Sequence, residues 1–162
     1  MSAASEKSTG LRIVTVPVPL SGRPCEASAS SLGEILALFK IGCLLKVTGN
    51  QVLAPLDGTI TDIDSSQLSV KLKADNGLQL WIKVSEVSLQ GHGAGCFTRV
   101  KVKDRVKAAE VLFQFNPAML KLAGALPFAR VIITNGQKIE RFETTKARQC
   151  LAFEDTLFTL YV

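Results

Sequence analysis

Leu68-Ser69-Val70-Lys71-Leu72-Lys73-Ala74-Asp75-Asn76-Gly77-Leu78-Gln79-Leu80-Trp81-Ile82-Lys83-Val84 alternates apolar and polar residues on both sides of a three-residue turn signal. A period of two is the spacing of side chains along one face of a strand. Between the arms, Asp75-Asn76-Gly77 predicts a hairpin with a type I′ turn, because Asn and Gly tolerate positive φ. A lone hairpin is marginal in water, so its apolar face needs further strands to cover it.

The flanks supply them. Val52-Leu53-Ala54-Pro55-Leu56-Asp57-Gly58-Thr59-Ile60 gives a strand, a proline, an Asp-Gly turn and another strand. Residues 11–20 are β-branched and carry Pro17 and Pro19 at alternate positions, which suits an edge strand. Residues 21–31 are small and polar and read as a loop. Ser30-Ser31 with Glu34 resembles a capping pattern. It precedes either a short helix over 34–39 or a buried strand running on to Leu45, and periodicity does not decide. Downstream, strands are expected over 98–102, 111–115, 130–134, 149–153 and 157–162. A helix is expected over 117–123, with Asn116 as its N-cap and proline first. Many short strands separated by turn signals make the fold all-β, an antiparallel sandwich or barrel-sandwich with one or two short helices. Residues 1–10 are expected to form a flexible tail and 11–162 one domain, with no linker in between.

Composition agrees. The 162 residues are 47% apolar and 20% charged, ordinary globular usage that excludes disorder over the whole chain. The most apolar run, 35–45, is interrupted by Lys40 and is too short to span a bilayer. The polar N-terminus lacks the apolar core of a secretory signal. Cys25, Cys43, Cys96 and Cys150 are scattered with no C-x-x-C pair, so free thiols in a cytoplasmic protein are expected, with disulfide pairing left open. The single histidine, His92, excludes any site built from two imidazoles within the chain. It lies in the glycine-rich stretch 91–95 and reads as an exposed loop residue. Neither a metal nor a cofactor is expected.

The residues quoted above also carry a resemblance. Residues 52–60 resemble the V-x-A-P-x-D-G-x-I segment of the glucose-type enzyme IIA (type 1 IIA domain) of the bacterial phosphoenolpyruvate sugar phosphotransferase system. Pro19-Leu20-Ser21-Gly22, Thr48-Gly49-Asn50, Asn76-Gly77 through Ile82, Asp104-Arg105-Val106-Lys107, residues 111–116 and Arg130 through Asn135 are similar to further family segments in the same order. The last of these matches the family's P-V-V-I-T-N. The resemblance covers residues 17–162 and implies an antiparallel β-sandwich. It also implies a phosphocarrier in which one histidine accepts a phosphoryl group from HPr and a second hydrogen-bonds it.

By that resemblance the supporting histidine falls at Leu68 and the acceptor at Lys83. The threonine that orients the supporting histidine falls at Ser66. Leucine neither donates nor accepts a hydrogen bond, and the lone pair of a lysine is occupied unless the group is desolvated. Lys83 is expected at the rim of a shallow depression, charged and solvated. The family's glycine-aspartate-glycine loop appears as Lys40-Ile41-Gly42, so an acid near the site is lost. No catalytic residue is therefore assigned. The implied role is a IIA homologue that has lost phosphoryl transfer and binds proteins, a sugar permease or a metabolic regulator, through Phe39, Ile41, Ser66, Leu68, Trp81, Lys83 and Val84. Core packing is the alternative for about half of these, since strand residues alternate inward and outward. HPr carries a basic docking surface, and Lys83 opposes it. A working IIA component with a non-standard acceptor remains an alternative.

The net charge of +5 allows one more reading. Arg99, Lys101, Lys103, Arg105 and Lys107 occupy alternate positions. On a continuous strand they would form a cationic stripe able to track a phosphate backbone. A turn near Lys103-Asp104 would break it, so nucleic acid is not the expected partner. Carrier domains for biotin or lipoate need a lysine at a hairpin tip that this chain lacks, and lysostaphin-type zinc peptidases need several histidines.

Overall fold

The structure is a computed structural model that describes residues 12–85, 96–122, 124 and 127–162. His92 and its glycine-rich neighbours lie outside the described residues. The strands are β1 (Ile13–Pro17), β2 (Gly22–Cys25), β3 (Ile41–Val47), β4 (Gln51–Leu53), β5 (Gly58–Asp64), β6 (Ser69–Ala74) and β7 (Gln79–Val84). They continue with β8 (Cys96–Thr98), β9 (Arg105–Val106), β10 (Val111–Phe115), β11 (Phe128–Ile133), β12 (Arg141–Thr144) and β13 (Thr156–Tyr161). A 3₁₀ helix over Ser31–Leu38 and the α-helix α1 (Pro117–Leu122) are the longest helical pieces among the described residues.

All paired strands run antiparallel. One sheet has seven strands in the order β2-β3-β11-β7-β6-β5-β9, and two three-stranded sheets run β1-β13-β12 and β4-β10-β8. The inward residues of the large sheet include Cys43, Leu45, Val70, Leu72, Leu80, Ile82, Val131 and Ile133. They share one core with Val16, Leu157 and Leu160 of one small sheet and Val52, Leu112 and Phe113 of the other. This is the β-sandwich that the alternation predicts. A smaller cluster of Leu32, Leu44 and Phe128 lies on the outer side, where the 3₁₀ helix covers the large sheet. No helix among the described residues is long and apolar enough to cross a membrane.

Several elements follow the sequence closely. Ser30 caps the 3₁₀ helix, its hydroxyl accepting from the Leu32 amide at 3.2 Å. Asn116 caps α1 by accepting from the Ala118 amide at 2.9 Å. β1 is an edge strand that ends at Pro17, as a proline in a strand requires.

Others differ. The hairpin joining β6 and β7 does not have a type I′ turn. The Gly77 amide bonds the Ala74 carbonyl, and Gly77 alone of the three turn residues takes positive φ, at +96°. That is the pattern of a three-residue loop with glycine in the left-handed position. Residues 22–25 form β2 rather than loop, because the edge of β3 captures them with Gly22 opposite Val47. Residues 149–153 are not a strand. Cys150 makes a single bridge to Gly22, and Phe153 turns away with φ +65°. The basic stripe is also broken. β8 stops at Thr98, the Asp104 carboxylate accepts from the Lys101 amide at 2.9 Å, and Lys103 takes φ +77°. Arg105 is spent on Asp75, its guanidinium holding both carboxylate oxygens at 2.6 and 2.8 Å.

Candidate functional site

The register of the large sheet decides which outward residues meet. Ser69 lies opposite Lys83, Lys83 opposite Arg130, and Arg130 opposite Leu44, which forms one row across β6, β7, β11 and β3. The adjacent row is Lys71, Trp81, Ile132 and Gly42. Alternation places all of these side chains on the side away from the main core.

Trp81 is the centre of this face. Its indole N–H donates to the Ser69 hydroxyl at 2.9 Å, which fixes the ring orientation. The Arg130 guanidinium stands 4.5 Å from the ring centroid and the Lys71 ammonium 5.0 Å. Phe39, just past the 3₁₀ helix, meets the ring edge-on at 6.4 Å. Cations over an indole and edge-to-face aromatics are both attractive arrangements. Phe39 and Trp81 are half-buried, so each presents part of its ring to solvent.

Lys83 is not the solvated rim residue that the sequence suggests. It is only 9% exposed. Its ammonium donates to the Gln67 backbone carbonyl at 2.6 Å and to the Gln67 side-chain oxygen at 3.3 Å. Burial pushes its pKa down, the neighbouring Arg130 charge pushes it further, and Asp64 partly restores it. Arg130 is also 9% exposed, and burial lowers its pKa as well.

The turn beside Lys83 is held by Asp64. Its carboxylate accepts from the Ser66 hydroxyl at 2.7 Å and from the Ser66 and Gln67 amides at 3.0 and 3.2 Å. Those bonds hold its pKa below the usual carboxylate range, the Ser66 hydroxyl contributing most. Ser66, half-buried, therefore serves the turn.

Of the seven residues predicted to form a partner-binding face, Phe39, Trp81 and Lys83 come together. Ile41, Leu68 and Val84 do not join them. All three are 0% exposed and belong to the main core. Leu68 lies at φ +48°, and its carbonyl accepts from the Val84 amide at 2.9 Å. Sequence reasoning gave no role to Arg130, Lys71, Ser69 and Gln67. The available signal was Arg130 itself, a lone charge at the head of the apolar run Val131-Ile132-Ile133.

A family model described as the phosphoenolpyruvate-dependent sugar phosphotransferase system, EIIA 1, matches residues 38–139, more than half of the chain. The PTS system glucose-specific EIIBCA component of Corynebacterium glutamicum is 30% identical over 132 residues, 78% of this chain and 20% of that protein. The PTS system glucose-specific EIIA component of Halalkalibacterium halodurans is 27% identical over 111 residues, 68% of this chain and 64% of that protein. The chain thus spans about a fifth of the larger relative's length and just under two thirds of the smaller's. The glucose permease IIA from Mycoplasma capricolum shares the fold, with a TM-score of 0.71 at 14% identity, over 91% of this chain and 96% of that one. Strand pattern, sandwich architecture and family match converge: the chain belongs to the EIIA 1 family of the phosphoenolpyruvate-dependent sugar phosphotransferase system.

Proposed function

We infer that this chain is a glucose-type IIA homologue that has lost phosphoryl transfer and works in the cytoplasm as a protein-binding module. It would engage a sugar permease or a metabolic regulator. The observation that carries this reading is the chemistry at the two positions where the resemblance implies imidazoles. Leu68 packs into the core, and Lys83 is a buried ammonium that makes two hydrogen bonds to Gln67. Neither offers the free lone pair that phosphoryl transfer from HPr requires.

The docking face of this reading is Phe39, Trp81 and the cations around them. Lys71, Lys83 and Arg130 gather there, and Asp64 is occupied by its own turn. A basic partner such as HPr would meet like charge, which repels strongly at a desolvated contact. An acidic partner with an apolar centre is favoured. The test is capture from native lysate with wild type, Phe39→Asp and Trp81→Glu, alongside titration with purified HPr. Partners lost in both variants and no HPr binding are expected. An unchanged set of partners would contradict the assignment of this face.

One observation favours a second reading. Burial and Arg130 both lower the Lys83 pKa, the direction that frees an amine for nucleophilic attack. On that reading Lys83 is the non-standard acceptor, and a phosphoramidate lost in Lys83→Met identifies it.

A further inference from the structure

Arg130 and Lys83 face each other across adjacent antiparallel strands, and each is only 9% exposed. Like charges directly opposite in a ladder destabilise it, and a buried charge without a counter-charge is costly. Among the described residues no carboxylate makes a salt bridge to Lys83 or Arg130; the salt bridge found there joins Arg105 to Asp75. Among the described residues, the Arg130 guanidinium reaches one protein acceptor, the Leu32 carbonyl, through Nη1 at a long 3.5 Å. Its Nε is buried with no hydrogen-bond partner. Among the described residues, no hydrogen bond from the Nε–Nη2 edge of the fork to a protein acceptor is found. That edge is one of those arginine presents to carboxylate and phosphate oxygens in pairs. Lys83 spends two contacts on Gln67 and retains a third N–H, since an ammonium has three.

We propose that Arg130 and Lys83, backed by Lys71 and the Trp81 ring, form an oxyanion-binding site that takes a phosphate or carboxylate group. The anion would sit against the Nε–Nη2 edge of Arg130 and the free N–H of Lys83. It would neutralise two charges that the fold otherwise leaves opposed. The site occupies the face assigned above to protein docking, but it stands on Arg130 and Lys83 and holds whether or not a protein binds there. The oxyanion has two sources, a free anion or an acidic side chain of a partner, and the two are separable.

Trp81 is the chain's one tryptophan and touches both Arg130 and Lys71, so its fluorescence reports the site. The protein is titrated with inorganic phosphate, chloride replacing phosphate at constant ionic strength, and separately with a short glutamate-rich peptide. A saturable response to at least one probe is expected, with a dissociation constant on the order of 1 mM for phosphate. It should weaken at least tenfold in Arg130→Gln and in Lys83→Met. Lys83→Met keeps the volume and removes the repulsion, so it folds even if Arg130→Gln does not. A response to phosphate alone identifies a free anion, and one to the peptide alone identifies a partner's carboxylate. If both probes respond and compete, one site accepts either. No saturable response to either probe, or one that both variants retain unchanged, overturns the proposal.

Discussion

Leu68→Ala separates a core residue from a docking residue. Leu68 is 0% exposed, lies in the main core and adopts φ +48°. Alanine keeps the Cβ, so backbone strain is unchanged and only the lost side chain is measured. Leucine-to-alanine changes in cores cost about 2–5 kcal/mol from lost burial plus the residual cavity. Leu68 ends a turn whose backbone can close partly over the gap, so we expect about 3 kcal/mol. In a chain of this length that corresponds to a fall in Tm of about 6–12 °C. Urea unfolding should show the midpoint drop with an unchanged slope. Leu68→Gly adds a sharper check. Left-handed backbone costs a non-glycine residue about 1–2 kcal/mol, so glycine recovers strain that alanine retains. Leu68→Gly should therefore cost no more than Leu68→Ala, the reverse of the usual order within a strand. A Leu68→Ala loss under about 0.5 kcal/mol, the range of surface substitutions, would refute the burial on which this reasoning rests.

Lys83 should leave a signature in the pH dependence of stability. Its folded pKa lies below 10.5, so between the lowered value and 10.5 the unfolded chain binds the proton more tightly. Stability contributed by this group therefore rises with pH across that window, and the difference between wild type and Lys83→Met, measured by urea unfolding at several pH values, should show the rise. Gly58→Ala should be strongly destabilising, by about 3 kcal/mol in thermal or urea unfolding, because the added Cβ would stand 2.3 Å from the Lys73 carbonyl oxygen. Random duplex DNA should bind weakly and release by about 200 mM salt in a mobility-shift assay, since the cations of 99–107 are not aligned on one strand.

The fold was largely legible because its signals are local. The alternation of 68–84 forms the β6–β7 hairpin, and Asn116-Pro117 starts α1. The failures have physical causes. Pro24 and small residues hide β2, whose pairing is supplied by β3 across fifteen residues of intervening chain. β12 has only Phe142 as an apolar residue and lies at a sheet edge, so it lacks a pattern to recognise. At the candidate site, alternation correctly put Trp81 and Lys83 on one face. It also assigns Leu80, Ile82 and Val84 to the core, which excludes Val84 from docking. The burial of Lys83 depends on the Gln67 turn, and that of Arg130 on the 3₁₀ helix whose Leu32 it contacts 98 residues away. Contacts of that range leave no mark in a local window.

The most direct test of the central claim is incubation of the intact chain with phosphoenolpyruvate, enzyme I and HPr, followed by mass spectrometry under non-acidic conditions. A competent histidine-bearing IIA protein serves as the positive control. The account predicts that the chain keeps its unmodified mass while the control gains an acid-labile adduct of about 80 Da, the mass of a phosphoryl group. An equivalent adduct on this chain would contradict the loss of phosphoryl transfer, and its disappearance in Lys83→Met or His92→Ala would name the acceptor.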